Sequence, residues 1–273
     1  MKGAVAAVLL VLALLAALAP VYWLGTISLK RTVDQFAVPP VWVRFTPTFE
    51  HYREIWVERD FGTYLWNSAV IASGSTLFAL ALGTLAAYGL ARFRLPNGLE
   101  DRLAFWIVST RMFPPIVSIV PLFLLMHHTG LLNTRFSLAL IYTSFNLPLV
   151  VWMMRGFFEE VPVELEEAAR VDGMGRLGVF LRVAIPLAAP GIAATAIFCL
   201  IVAWNEFLFA LVLAQTSASM TMPVGIAGQV TQYEIRWGPM SAAGVLAMIP
   251  VLLFALIAQR YLVRGLSLGA VKG

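Results

Sequence analysis

The sequence predicts an all-α protein threaded several times through a membrane, and three observations predict it. The chain is 60% hydrophobic and only 12% charged, with a mean hydropathy of +0.84, whereas soluble chains run near half apolar and about a quarter charged. Six apolar runs are long enough to cross a hydrocarbon core, which takes about 20 residues as a helix. Between them lie shorter stretches that collect Pro, Gly and charge. A water-facing shell of ordinary polarity cannot be built from this composition, so residues 1–273 are read as a single transmembrane domain.

The first span, Val5 to Ile27, follows Lys2 and contains Ala17-Leu18-Ala19, a triplet that also suits a cleavable leader. Apolar character continues past Pro20 through Val21, Tyr22, Trp23 and Leu24, which favours a span. In the following loop Phe49, Tyr52, Ile55 and Trp56 recur at near-helical spacing behind Thr48 and predict a short helix, either lying on the membrane surface or acting as a packing lid. The second span, Asn67 to Leu90, repeats small residues at Ala79, Gly83 and Ala87, a spacing that lets helix backbones approach closely. Leu103 to Met126, Phe136 to Phe157, Gly191 to Ala214 and Ala242 to Leu262 complete the set. Prolines interrupt the third span (Pro114, Pro115, Pro121), the fourth (Pro148) and the sixth (Pro250), as is tolerated where a helix lines a cavity or protein interior.

Placing both termini in the cytoplasm gives the inner side Lys2, Arg92, Arg94, Arg102, Arg155, Arg170, Arg176, Arg182, Arg260, Arg264 and Lys272, as the positive-inside rule favours. The first outer loop runs against the rule with Lys30, Arg31, Arg44, Arg53 and Arg59, partly offset by Asp34, Glu50, Glu54, Glu58 and Asp60. Basic residues scattered in this way leave no nucleic-acid footprint despite the +4 net charge. One cysteine, Cys199, excludes an internal disulfide framework and a cysteine metal cluster. The lysines are Lys2, Lys30 and Lys272, and none sits in a G-x-x-x-x-G-K-[ST] loop. H-E-x-x-H does not occur, Gly265-Leu266-Ser267-Leu268-Gly269 fits G-x-S-x-G in letters but follows an apolar helical run rather than a strand, and His127 and His128 are adjacent rather than four apart. No catalytic, cofactor-binding or metal residue is therefore assigned, and the chain is not read as an enzyme.

Charge inside a bilayer costs at least about 2.5 kcal/mol on insertion scales, so Arg111 and Glu206 need protection. Two readings fit: they face a solute pathway, together with Asn146, Trp204 and Asn205, or they tether helices and snorkel toward an interface. Trp204-Asn205-Glu206 offers the aromatic and hydrogen-bonding groups that sugar sites use. Adjacent helical positions diverge, so at most one or two of the three touch one solute.

The stretch at about 158–184 predicts two short helices joined by a glycine bend. Pro162 suits a first turn, Glu164, Glu166 and Glu167 suit a helix N-terminus, and Glu166 is placed to pair with Arg170. Asp172-Gly173 is turn chemistry, and Leu177 to Val183 is the second helix. Ala168 and Ala169 give the first a small, smooth face suited to a groove on another protein.

Glu167-Ala168-Ala169, three residues, Gly173, nine residues, then Val183-Ala184-Ile185-Pro186 resembles the EAA loop of binding-protein-dependent ABC importers. That family carries isoleucine and leucine where this chain has Val183 and Ile185. Arg111-Met112-Phe113-Pro114-Pro115, Gly130-Leu131-Leu132-Asn133-Thr134, Trp204-Asn205-Glu206-Phe207 and Gly269-Ala270-Val271-Lys272-Gly273 resemble the smaller, second permease of the maltose-type carbohydrate importers. Weaker likeness at Ser28-Leu29-Lys30 and Asn67-Ser68 extends the match over nearly the whole chain.

The resemblance implies a type I ABC importer permease fold that moves a sugar or polyol across a prokaryotic plasma (inner) membrane. It implies a second homologous permease, a cytoplasmic ATPase dimer that holds the ATP and Mg, and an external solute-binding protein whose landing surface includes the outer loop from Gln215 to Pro239, with Arg236 and Trp237. It assigns ATPase coupling to Glu167, Ala168, Ala169, Asp172 and Gly173, with tail contacts from Val271, Lys272 and Gly273. An ion-coupled transporter using Arg111 and Glu206 competes with this reading, although no clear internal repeat supports it. So does a membrane scaffold that docks partners and moves nothing.

Overall fold

The computed structural model describes residues 2–269, and among them the regular elements are helices. In chain order these are α1 (Lys2–Leu29), α2 (Thr32–Gln35), α3 (Glu50–Glu58), α4 (Phe61–Arg92), α5 (Leu99–Ser109), α6 (Pro115–His128) and α7 (Arg135–Glu160). There follow α8 (Val163–Val171), α9 (Arg176–Val179), a π turn over Phe180–Ala184, α10 (Ile185–Leu187), α11 (Ala189–Trp204), α12 (Leu208–Leu213), α13 (Met222–Ala227) and α14 (Trp237–Gly269). Four of them, α1, α4, α7 and α14, are each long and apolar enough to cross a membrane. Two bent pairs bring the number to six if each counts as one span.

The first bent pair stands where the span from Leu103 to Met126 is expected, and it breaks at the predicted prolines Pro114 and Pro115. Its halves meet at 90°. Pro114 has no N–H to continue the ladder and holds the preceding Phe113 extended (φ −71, ψ 124), after which Pro115 opens α6. The hydroxyls of Ser109, Thr110 and Ser118 turn back onto the carbonyls of Trp106, Ile107 and Pro115, which keeps the break polar-satisfied. Pro121, Pro148 and Pro250 sit inside continuous helices and interrupt nothing. In the second pair Arg176–Leu187 and Ala189–Trp204 meet at 75°. That bend precedes the predicted fifth span, Gly191 to Ala214, which as a helix ends at Trp204 and is continued by α12 after a break at residues 205–207.

Two compact units are distinguishable, one formed by the chain up to Leu65 with Thr221–Pro250, the other by Trp66–Met220 with the chain from Val251. The first has a core of Ile55, Phe61, Met222, Ala242 and Ala243. The short helix expected behind Thr48 is α3, whose Glu50 N–H bonds the Thr48 hydroxyl at 3.2 Å, and its fully buried Ile55 makes it a packed element. Lys30 is buried beside the Trp23 ring, 4.4 Å from its centroid, and the Phe45 ring, 5.4 Å away. Burial pushes its ammonium pKa down, with Asp34 pulling the other way.

The second unit is built around Ala79, Ala87, Val150, Met154, Phe158, Phe180, Ala184 and Cys199. The small-residue face of α4 packs within the chain: a Cβ at Gly83 would stand 2.7 Å from the Cβ of Val150 on α7. Only a hydrogen fits at that crossing. The Gly130 to Thr134 block closes one helix and opens the next. Leu131 N–H bonds Met126 O, and Thr134 caps α7 by accepting the Ser137 N–H at 3.1 Å. Asn133 accepts the Gln215 N–H on its side chain at 2.7 Å and fixes the residues after α12.

Candidate functional site

Two places in the second unit carry the predicted residues: the α8–α9 hairpin and a pair of adjoining cavities. The hairpin is closed by its glycine. Gly173 adopts φ +89, the Gly173 N–H bonds Arg170 O at 3.1 Å, and the Met174 N–H reaches Ala169 O at 3.0 Å. This reciprocal pattern ends α8 in a left-handed cap that L residues rarely adopt. Glu167, Ala168, Asp172 and Gly173 are exposed and Ala169 is half-buried, so the hairpin turns its tip outward. Leu165, Val171 and Leu177 add exposed apolar surface beside them.

The predicted Glu166–Arg170 pair does not form. Glu166 is instead buried, accepting the Tyr88 hydroxyl at 2.7 Å and the Arg92 Nε at 2.8 Å, while Arg92 Nη2 donates to Val161 O at 2.8 Å. The Tyr88 ring lies against Phe158 and Phe180, with centroids 5.3 and 4.8 Å away. Both charged side chains are below a tenth exposed. Removing one partner from such a buried pair typically costs about 3–5 kcal/mol, because the other charge is left uncompensated.

The larger cavity, about 430 Å³, opens at the bend between α5 and α6 and is lined by Trp106, Arg111, Phe113, Ser144 and Phe145 among others. A second, about 210 Å³, shares Arg111, Phe113 and Phe145 and adds Tyr142, Asn146 and Glu206. Three of the five predicted pathway residues, Arg111, Asn146 and Glu206, thus come together. Trp204 is buried edge-on to Phe254, and Asn205 donates back to Ile201 O at 2.8 Å; neither lines these cavities. Glu206 also has a structural task, its two carboxylate oxygens accepting the Phe209 and Ala210 N–H groups at the start of α12. Asn146 donates to Cys199 O, and its own side-chain oxygen is buried without a protein partner, while the buried Tyr142 hydroxyl interacts with the Glu206 carboxylate.

Sequence reasoning missed Tyr142 and Phe145, although with Asn146 they follow the i, i+3, i+4 spacing that marks one helix face. It missed Trp106 because the 90° break folds α5 against α7. Val271, Lys272 and Gly273 lie outside the described residues. Among the described residues no group of three or more His, Cys, Asp or Glu is placed to hold a metal ion.

Residues 79–268 match the family described as binding-protein-dependent transport system inner membrane component. The chain is 40% identical over 262 residues to the trehalose transport system permease protein SugB of Mycobacterium tuberculosis, covering 94% of this chain and 93% of that one. It is 39% identical over 253 residues to the probable ABC transporter permease protein y4oR of Sinorhizobium fredii, covering 93% and 90%. Among solved structures it is similar to a chain of a bacterial ABC transporter involved in import of the acidic polysaccharide alginate, with a TM-score of 0.79, 26% identity and coverage of 95% and 96%.

Proposed function

The chain belongs to the family of binding-protein-dependent transport system inner membrane components, and from that premise we propose that it carries a sugar or polyol through an ATP-driven importer. It is a multi-pass permease subunit with the type I ABC importer fold, and ATP is hydrolysed by a separate subunit. The exposed α8–α9 hairpin is the observation that carries the mechanism. Glu167, Ala168, Ala169, Asp172 and Gly173 stand at its tip, flanked by the unpartnered apolar side chains of Leu165, Val171 and Leu177. A helix of this size with a smooth alanine face suits a groove on the cytoplasmic ATPase, so closure of the ATPase dimer on ATP and Mg displaces α8. Val271, Lys272 and Gly273 add contacts from the tail.

On this reading the hairpin end and both termini are cytoplasmic, in a prokaryotic inner membrane, and a second homologous permease completes the pathway. Arg111, Asn146 and Glu206 line this subunit's share of it, with the aromatic faces of Trp106 and Phe145. An external solute-binding protein docks on the first unit, where Gln35, His51, Glu54, Arg236 and Trp237 line a polar crevice of about 490 Å³. The test is binding-protein-stimulated ATPase activity and sugar uptake in proteoliposomes of the assembled complex, comparing wild type with Gly173→Asp. A panel of disaccharides headed by trehalose, the solute in the name of SugB, supplies the probe. Both activities are expected to collapse while the variant still inserts. Uptake that persists without ATP, or that ignores the substitution, rejects the reading.

A further inference from the structure

We propose that Tyr88, Arg92 and Glu166 form a polar clamp that makes α8 and the end of α4 move as one body, so that displacement of the hairpin reaches a membrane-crossing helix directly. This rests on the reading of the hairpin as the ATPase-coupling element.

The argument begins with how α8 is held. Of its residues, Glu166 alone is buried. Val163, Leu165 and Val171 face outward, so side-chain packing transmits little from this helix to the rest of the chain. Force applied to α8 passes through its covalent ends and through Glu166. Apolar contacts resist sliding weakly because dispersion is non-directional, whereas a charge-assisted hydrogen bond has a preferred length and angle. Here two such bonds converge on one carboxylate, from Arg92 Nε at 2.8 Å and the Tyr88 hydroxyl at 2.7 Å.

Both donors come from α4, one turn apart on one face. Arg92 uses the other arm of its guanidinium on Val161 O, at the end of α7 just before α8 starts, and thus fixes both sides of the joint. The Tyr88 ring is wedged between Phe158 of α7 and Phe180 of the π turn, so its hydroxyl cannot follow α8 without those rings. Further along α4 the crossing at Gly83 presses the helix onto Val150. Motion of α8 is thereby delivered to the α4–α7 pair.

A solely structural pair and a transmitting clamp differ in what their loss does. Arg92→Lys keeps the charge and loses the fork that reaches both Glu166 and Val161 O. Tyr88→Phe keeps the wedged ring and loses the hydroxyl, and Glu166→Gln keeps the shape and loses the charge. In proteoliposomes of the complete complex, each is expected to retain co-purification with the ATPase and the basal ATPase rate measured without binding protein to within about twofold. Sugar taken up per ATP hydrolysed should fall, by about tenfold for Arg92→Lys, the loss that one charge-assisted hydrogen bond accounts for.

Spin labels at Val171 and Phe78, both exposed on α8 and α4, supply a readout other than activity. Their distance should stay narrow and unchanged between resting and vanadate-trapped complexes of wild type, and should broaden in the three variants. A wild-type coupling ratio in all three, or a label distance that changes between the two states of wild type, overturns the clamp. A Val171 label that is not immobilised on adding the ATPase overturns the coupling-loop reading itself, which keeps the two failures apart.

Discussion

Gly83→Ala is the substitution whose cost follows most directly from geometry. The added methyl would stand 2.7 Å from both Cβ and Cγ1 of Val150, a residue with no exposed surface and a β-branched side chain held to few rotamers. Helix α4 or α7 must shift, and overpacking of this kind costs about 1–3 kcal/mol. Replacing glycine by alanine inside a helix also gains roughly 0.5–1 kcal/mol in backbone entropy, so a control is needed that carries the gain without the clash. Gly74→Ala provides it, lying in the same helix with nothing within 4 Å of its new Cβ. The propensity gain cancels between the two variants, which leaves the overpacking alone. At about 2–4 °C per kcal/mol for a chain of this size, Gly83→Ala should melt roughly 2–12 °C below Gly74→Ala in the same detergent. Equal melting temperatures would mean that α4 and α7 do not cross at Gly83, and the core described for the second unit would have to be redrawn.

Lys30→Met tests the buried ammonium. Its folded-state pKa is lowered below 10.5, so the burial penalty is constant below the folded value and is relieved as pH climbs from there to 10.5. The melting temperature of wild type relative to Lys30→Met should therefore rise between neutral pH and about pH 10, and a flat difference counts against the burial. Thr134→Ala removes the cap on α7 and is expected to cost about 0.5–2 kcal/mol, with Thr134→Ser near wild type by the same melting assay.

The elements legible in the sequence were those set by local chemistry. Length and apolarity mark the spans, the spacing of Ala79, Gly83 and Ala87 marks a close crossing, and Asp172-Gly173 marks the turn that φ +89 requires. The spacing from Glu167 to Pro186 was legible because both sides of that hairpin are contiguous in the chain. Partners far apart in sequence were not. Glu166 has a suitable cation four residues on at Arg170, yet bonds Arg92, 74 residues away, since burial strengthens that pair and water weakens the exposed one. Proline content alone did not separate the break at Pro114 from the continuous helix at Pro148. Two successive prolines leave two amides absent at one place, whereas a single one is absorbed by a long helix. The aromatic lining from Trp106 was hidden for the same reason, because it depends on where α5 points after the bend.

Glu206 shares a cavity with Arg111, yet both its carboxylate oxygens are engaged by the amides of α12, and among the described residues Arg111 has no ion pair. A carboxylate that accepts hydrogen bonds keeps its charge, so the cavity wall holds one cation and one anion that are not paired with each other. Under the proposed importer function, a wall whose two charges cancel favours ions of neither sign, which suits a solute that itself carries no net charge.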